Sequence, residues 1–97
     1  MILKKHIAGE KKILAICDSE LLGKKIETET LILDLSSNFY KGEKKSESEI
    51  LMEISNASSI NAVGIKTINF LIKEKIISEN NVKKIKDIPY INIIFYY

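Results

Sequence analysis

The chain has 97 residues, 45% of them apolar and 29% charged, and a net charge of only +2. That length predicts a single domain over residues 1–97 with one compact core, and the apolar content excludes a disordered chain. The small net charge excludes a strong overall pull toward nucleic acid or anionic membranes, and leaves room only for a local patch.

Residues 2–7 and 11–17 are apolar runs separated by Ala8, Gly9 and Glu10, which predicts a hairpin with Gly supplying the turn. The second run has few polar alternations and reads as a central strand covered on both faces. Asp18 is then expected to cap a single helical turn, with Gly23 just past its end. Residues 24–30 are polar and read as a strand lead-in or loop, 30–35 as a third strand, and 36–45 as a loop. Ser46 and Glu49 have the spacing of a capping box, so a helix is expected to about Ala57 with Ile50, Leu51 and Ile54 on one stripe. Residues 58–61 break the periodicity. A second helix is expected over 62–75, burying Ile65, Ile68, Leu71 and Ile72. Residues 78–81 read as a loop and 82–85 as a short strand. Asp87, Ile88 and Pro89 read as a turn or bulge, because Pro restricts the residue before it. The β-branched and aromatic residues of 90–97 make a final strand. The order β-β-β-α-α-β-β segregates strands from helices. It predicts an α+β fold with a mostly antiparallel sheet of four to five strands and two helices covering one face.

Four separated pieces together resemble an archaeal family of small proteins, domain-of-unknown-function family 424. They are Cys17-Asp18 with Glu20-Leu21-Leu22-Gly23-Lys24, Phe39-Tyr40 with Gly42, Asn61-Ala62-Val63-Gly64, and Ile85 with Ile88-Pro89. Two positions depart from the family pattern. Tyr90-Ile91-Asn92 stands where the pattern has His-Ala-Gln, and Lys75 stands where the second helix usually closes with Gly. The resemblance implies an archaeal source, a cytosolic setting and a role around translation or RNA.

Cys17 is the only cysteine and His6 the only histidine. One cysteine excludes an intramolecular disulfide, and the pair cannot make a zinc motif, so no metal or cofactor is expected. In the hairpin His6 falls about four residues along the strand from Cys17, roughly 13 Å, too far for a Cys–His dyad. Cys17 therefore reads first as a small buried apolar group, and only then as a nucleophile or thiol sensor. Asp18 reads as a helix cap. Glu20, Glu27, Glu29 and Asp34 alternate with Lys and read as solvated surface rather than a metal site. Gly42 and Gly64 lack the context of a phosphate loop. Gly64 is expected at a close-packing position, and Asn61 as the cap of the second helix or a loop clamp.

Every one of the 15 basic residues is Lys. Without the Arg fork, bidentate reading of guanine is excluded, whereas Lys contacts to a phosphate backbone are not. The Lys- and Glu-rich, Ile- and Asn-rich composition fits an AT-rich genome, and weakly a thermophile. Lysine doublets recur at 4–5, 11–12, 24–25, 44–45 and 83–84. They are either spread solubility charges that also protect strand edges, or a backbone-binding patch. In the second case Lys24, Lys25, Lys44 and Lys45 would surround an exposed Tyr40 as a stacking ring. The uncharged segment 91–97 is either core or an edge strand pairing a second copy. The sequence thus points to a non-enzymatic cytoplasmic protein binding RNA or ribosomal particles, with a homodimer or protein-interaction module as the alternative. No residue run approaches the roughly 20 apolar residues needed to span a bilayer, and no signal-peptide core is present, so no membrane contact is expected.

Overall fold

The computed structural model describes residues 1–96. Eight strands and two α-helices follow in the order β1 Ile2–Ala8, β2 Lys11–Cys17, β3 Lys25–Glu27, β4 Ile32–Asp34, β5 Glu43–Lys44, α1 Glu47–Ile54, β6 Ser59–Val63, α2 Ile65–Lys73, β7 Lys83–Ile85 and β8 Ile88–Ile94. Six of the strands form one sheet in the order β5-β1-β2-β6-β8-β7, and β3 pairs with β4 in a separate two-stranded sheet. All pairings are antiparallel except β2 with β6. The α+β class and the two helices over one face are as the sequence predicts; the strand count and order differ in detail.

The β1–β2 hairpin closes on a two-residue loop with Gly9 at φ 63. At such an angle a Cβ is strained, and Gly is not. Leu14, Ile16, Ile60, Ala62 and Ile91 point from the three central strands to one side. There they meet Ile50 and Ile54 of α1 and Ile68, Phe70 and Leu71 of α2. The capping box forms as expected: Ser46 Oγ accepts from Glu49 N–H, and Glu49 Oε1 accepts from Ser46 N–H.

On the opposite side Ile2, Ala15, Cys17, Val63 and Ile85 are covered by Ile26 of the β3–β4 hairpin, Leu35 and Tyr40. Central strand β2 is therefore buried on both sides from Leu14 to Cys17, which explains its unbroken apolar run.

Four expectations need correction. Residues 59–63 are not a break and the beginning of a helix; they are β6, the parallel neighbour of β2. Ile60 and Ala62 alternate with Ser59 and Asn61, a period-2 signal hidden by the polar residues that precede it. Consequently α2 begins at Ile65, whose side chain is 59% exposed rather than buried, and Asn61 lies inside β6 instead of capping the helix. The late turn lies at Lys86 and Asp87, both at positive φ, while Ile88 and Pro89 already belong to β8. Finally, the polar stretch before the third strand is itself a strand, β3, pairing Lys25 with Asp34. Tyr97, part of the expected final strand, lies outside the described residues.

Candidate nucleic-acid interface

The Cys17–Asp18 segment ends β2 beside the start of α2. The Asp18 carboxylate is 5% exposed and is fully engaged by that helix. Its Oδ2 accepts from Lys66 N–H at 3.1 Å, and its Oδ1 accepts from Thr67 N–H and Thr67 Oγ1–H, each at 2.8 Å. Asp18 makes no side-chain bond to the 3-10 turn at Ser19–Leu21 that follows it, so the cap predicted for that turn is formed 48 residues away. Gly64 is the backbone N-cap of α2, with φ 115. A Cβ there would lie 2.6 Å from each Asp18 carboxylate oxygen. The expected close-packing role of Gly64 is thus found, with Asp18 as its neighbour. A carboxylate at a helix N-terminus satisfies orphan N–H groups and complements the helix dipole.

Cys17 is wholly buried. Burial, and secondarily the Asp18 charge, push its thiol up to about 11. A thiolate is the reactive form, so this environment opposes nucleophilic chemistry. His6 stands opposite Ile13, four residues along β2 from Cys17. Its Nε2 lies 2.9 Å from Phe39 O, and its ring stacks on Phe39 at 4.5 Å.

Tyr40 is 8% exposed, edge-on to Phe39, and burial pushes its hydroxyl up to about 12. The exposed stacking ring expected at this position is therefore corrected: the ring is core, because the 3-10 turn Asn38–Tyr40 folds over β1 and β2. Gly42 lets the chain come that close. A Cβ on it would overlap the Leu3 carbonyl, so only Gly fits against the β1 backbone.

The lysine doublets do not share one rim. Lys44 and Lys45 belong to the β5 edge of the large sheet, Lys83 and Lys84 to the β7 edge opposite, and Lys24 and Lys25 to the separate two-stranded sheet and its lead-in. Lys4, Lys5, Lys41 and Lys45 instead line a cleft of about 350 Å³, together with Glu43 and Glu53. Lys5 and Lys12 both pair with Glu53, at 3.3 and 2.8 Å, and these contacts, Lys12 first, hold the Glu53 carboxyl below its ordinary range. Lys45 lies 3.7 Å from both Glu43 and Glu49. Among the described residues Lys4 and Lys41 have no carboxylate in ion-pair range. Lys41 carried no signal beyond its charge, since its place in the cleft depends on the Gly42 crossing. Beside the cleft, β5 pairs with β1 only at Ile2 and Leu3, so the outer edge of β1 from Lys4 to Ala8 has no strand neighbour among the described residues.

The face of the large sheet opposite the helices is covered only in part. Strand alternation places Lys4, His6, Ile13, Ser59, Asn61, Asn92 and Ile94 on it. Asn61 pairs with Asn92 across β6 and β8, and the two amides hydrogen-bond each other. Lys11, Ile13, Ser59, Ile94 and Tyr96 line a depression of about 450 Å³ at the far end. Tyr96 is 90% exposed.

Fold and site together define a small α+β protein with a lysine-lined sheet edge and a partly open sheet face. The chain belongs to the family of proteins of unknown function DUF424, whose family model matches residues 5–95. It is similar in fold to an uncharacterized conserved protein from Methanopyrus kandleri. The TM-score is 0.79 and the identity 23%, over 95% of this chain and 88% of that one. No curated protein matches the chain. Among the described residues no helix is long and apolar enough to cross a membrane.

Proposed function

We propose that this chain is a non-enzymatic RNA-binding protein, acting on RNA or ribosomal particles, that holds the sugar–phosphate backbone in the cleft between β1, Lys41–Gly42 and α1. The observation that carries this reading is the pair of cations, Lys4 and Lys41, without a carboxylate partner among the described residues, in a cleft that Lys5 and Lys45 also line. Lys44 continues the same sheet edge, while Lys24 and Lys25 extend a more distant arm. Lysine contacts phosphate as a point charge, so the grip is tolerant of sequence. The sealed, protonated Cys17 and its distance from His6 support a binding rather than a catalytic role.

Filter binding of RNA at about 50 and about 200 mM salt tests this, since phosphate contacts must weaken as salt rises. Lys4→Glu with Lys41→Glu is expected to reduce affinity by at least about tenfold, and Lys24→Glu with Lys25→Glu by less. Absence of binding at low salt, or binding indifferent to salt, overturns the reading.

A second reading, a homodimer through the C-terminal strand, is favoured by one feature. β7 pairs only with Ile88 to Tyr90, so the uncharged outer edge of Ile91 to Ile94 has no strand neighbour among the described residues. Sedimentation equilibrium decides it: a mass that rises with concentration and is reset by Ile94→Lys supports the dimer, and an invariant monomer removes it.

A further inference from the structure

The helix-free face of the large sheet carries a one-sided charge distribution. The charged residues that the six strands place on it are Lys4, Lys11, Lys44 and Lys83, and none is acidic. The acidic residues of α1, Glu47, Glu49 and Glu53, belong to the other side of the sheet, where that helix packs. Lys44 shares its surroundings with Asp18 and Glu20. Lys83 sits beside Tyr90 and near Ile85 in the covered half, so the cationic excess of the open half rests on Lys4 at one end and Lys11 at the other.

Between them lie groups suited to bases rather than to phosphates. The stacked His6 and Phe39 rings are both half-buried, so each pair member keeps part of its surface in solvent. Asn92 is exposed, and Asn61 and Ser59 are half-exposed. An amide pair offers both a donor and an acceptor beyond its mutual bond. Ile13 and Ile94 supply apolar floor, and Tyr96 a solvated ring beside it. We propose that this open half-face is a base-contact platform for single-stranded RNA, continuous with the lysine cleft at Lys4, so that phosphates run along the β1 edge while unpaired bases lie on the sheet.

This rests on the RNA reading above and narrows it to one form of the polymer. A duplex keeps its bases stacked inward and cannot lay them on a flat sheet, whereas a single strand can splay them onto rings and amides. Charge complementarity fixes the occupant as anionic. The absence of any carboxylate among the strand residues of this face disfavours a basic peptide.

The test is fluorescence anisotropy of the full chain with a labelled single-stranded RNA of about eight nucleotides and with a blunt RNA duplex of the same length. The single strand is expected to bind at least about tenfold more tightly than the duplex. Asn92→Asp puts a negative charge on the exposed centre of the platform and is expected to cost the single strand about tenfold and the duplex little. Asn92→Gln is expected to retain binding. Ile94→Glu, at a site 56% exposed, serves as a second variant should Asn92→Asp fold poorly. Equal, salt-dependent affinity for both probes would overturn the platform and leave the lysine cleft standing. Single-strand binding unaffected by both acidic variants would also overturn it. Binding of neither probe at low salt would remove the RNA reading itself, and the platform with it.

Discussion

Replacing Asp18 by Ala removes the acceptor for three donors at once, two backbone N–H groups of α2 and the Thr67 hydroxyl. Thr67 is completely buried, and Asp18 nearly so, so water does not freely take the place of the carboxylate. Losing a side-chain N-cap costs about 1 kcal/mol, and up to about 2. Leaving buried donors unsatisfied adds about 1–3 kcal/mol. The desolvation of the Asp18 charge, which the variant no longer bears, offsets part of this. The balance is a loss of about 3 kcal/mol, a large share of the roughly 5–15 kcal/mol that a domain has. With a urea slope of about 1 kcal/mol/M for a chain of this size, the midpoint should fall by about 3 M. Asp18→Asn keeps one acceptor oxygen for Thr67 but turns an amide toward Lys66 N–H, and should fall between. Gly64→Ala should be as damaging as Asp18→Ala, since its Cβ would meet the same carboxylate from a backbone at φ 115. Equilibrium urea unfolding followed by circular dichroism measures all three. A midpoint for Asp18→Ala within about 0.5 M of the parent would mean that the start of α2 does not depend on this carboxylate.

Two further outcomes follow from the same geometry. The Cys17 thiol titrates near 11 when folded instead of near 9.0, so the folded state holds its proton more tightly than the unfolded chain. The associated stability is fully present below pH 9.0 and is lost as pH rises toward 11, with Tyr40 adding a loss between 10.0 and about 12. The urea midpoint should therefore drop between pH 9 and 11, and Cys17→Ala should flatten part of that drop; a midpoint constant over that range contradicts the assignment. At α1, Ser46→Ala should cost about 1 kcal/mol in the same assay, since the Oγ that accepts from Glu49 N–H is lost while the Ser46 N–H can still donate to Glu49, and Ser46→Asp should retain most of the stability.

Local chemistry was legible in the sequence and long-range partnership was not. The hairpin of β1 and β2, the capping box at Ser46 and Glu49, and the α+β class each depend on signals within a few residues. β6 is hidden in the sequence because its outward positions, Ser59 and Asn61, are polar, and because the apolar spacing of α2 can be extended backward through Ala62. Only pairing with β2 and β8 selects the strand. Asp18 is expected to cap the turn that follows it, but its carboxylate instead caps α2, 48 residues on. Tyr40 looked exposed in a polar loop, whereas Gly42 allows that loop to lie against β1 and bury the ring. The cleft residue Lys41 and the amide pair of Asn61 and Asn92 come together only through sheet order.

Single-stranded RNA laid across the lysine edge and the open sheet face is the arrangement proposed above. The most direct measurement is a titration of isotope-labelled protein with a single-stranded RNA oligomer, following backbone amide and Asn side-chain resonances. Shifts are expected to concentrate at Lys4, His6, Ile13, Lys41, Asn61 and Asn92, with α2 unmoved and the β3–β4 hairpin moved least. Shifts confined to Lys24, Lys25 and their hairpin, or no shifts at low salt, would contradict it.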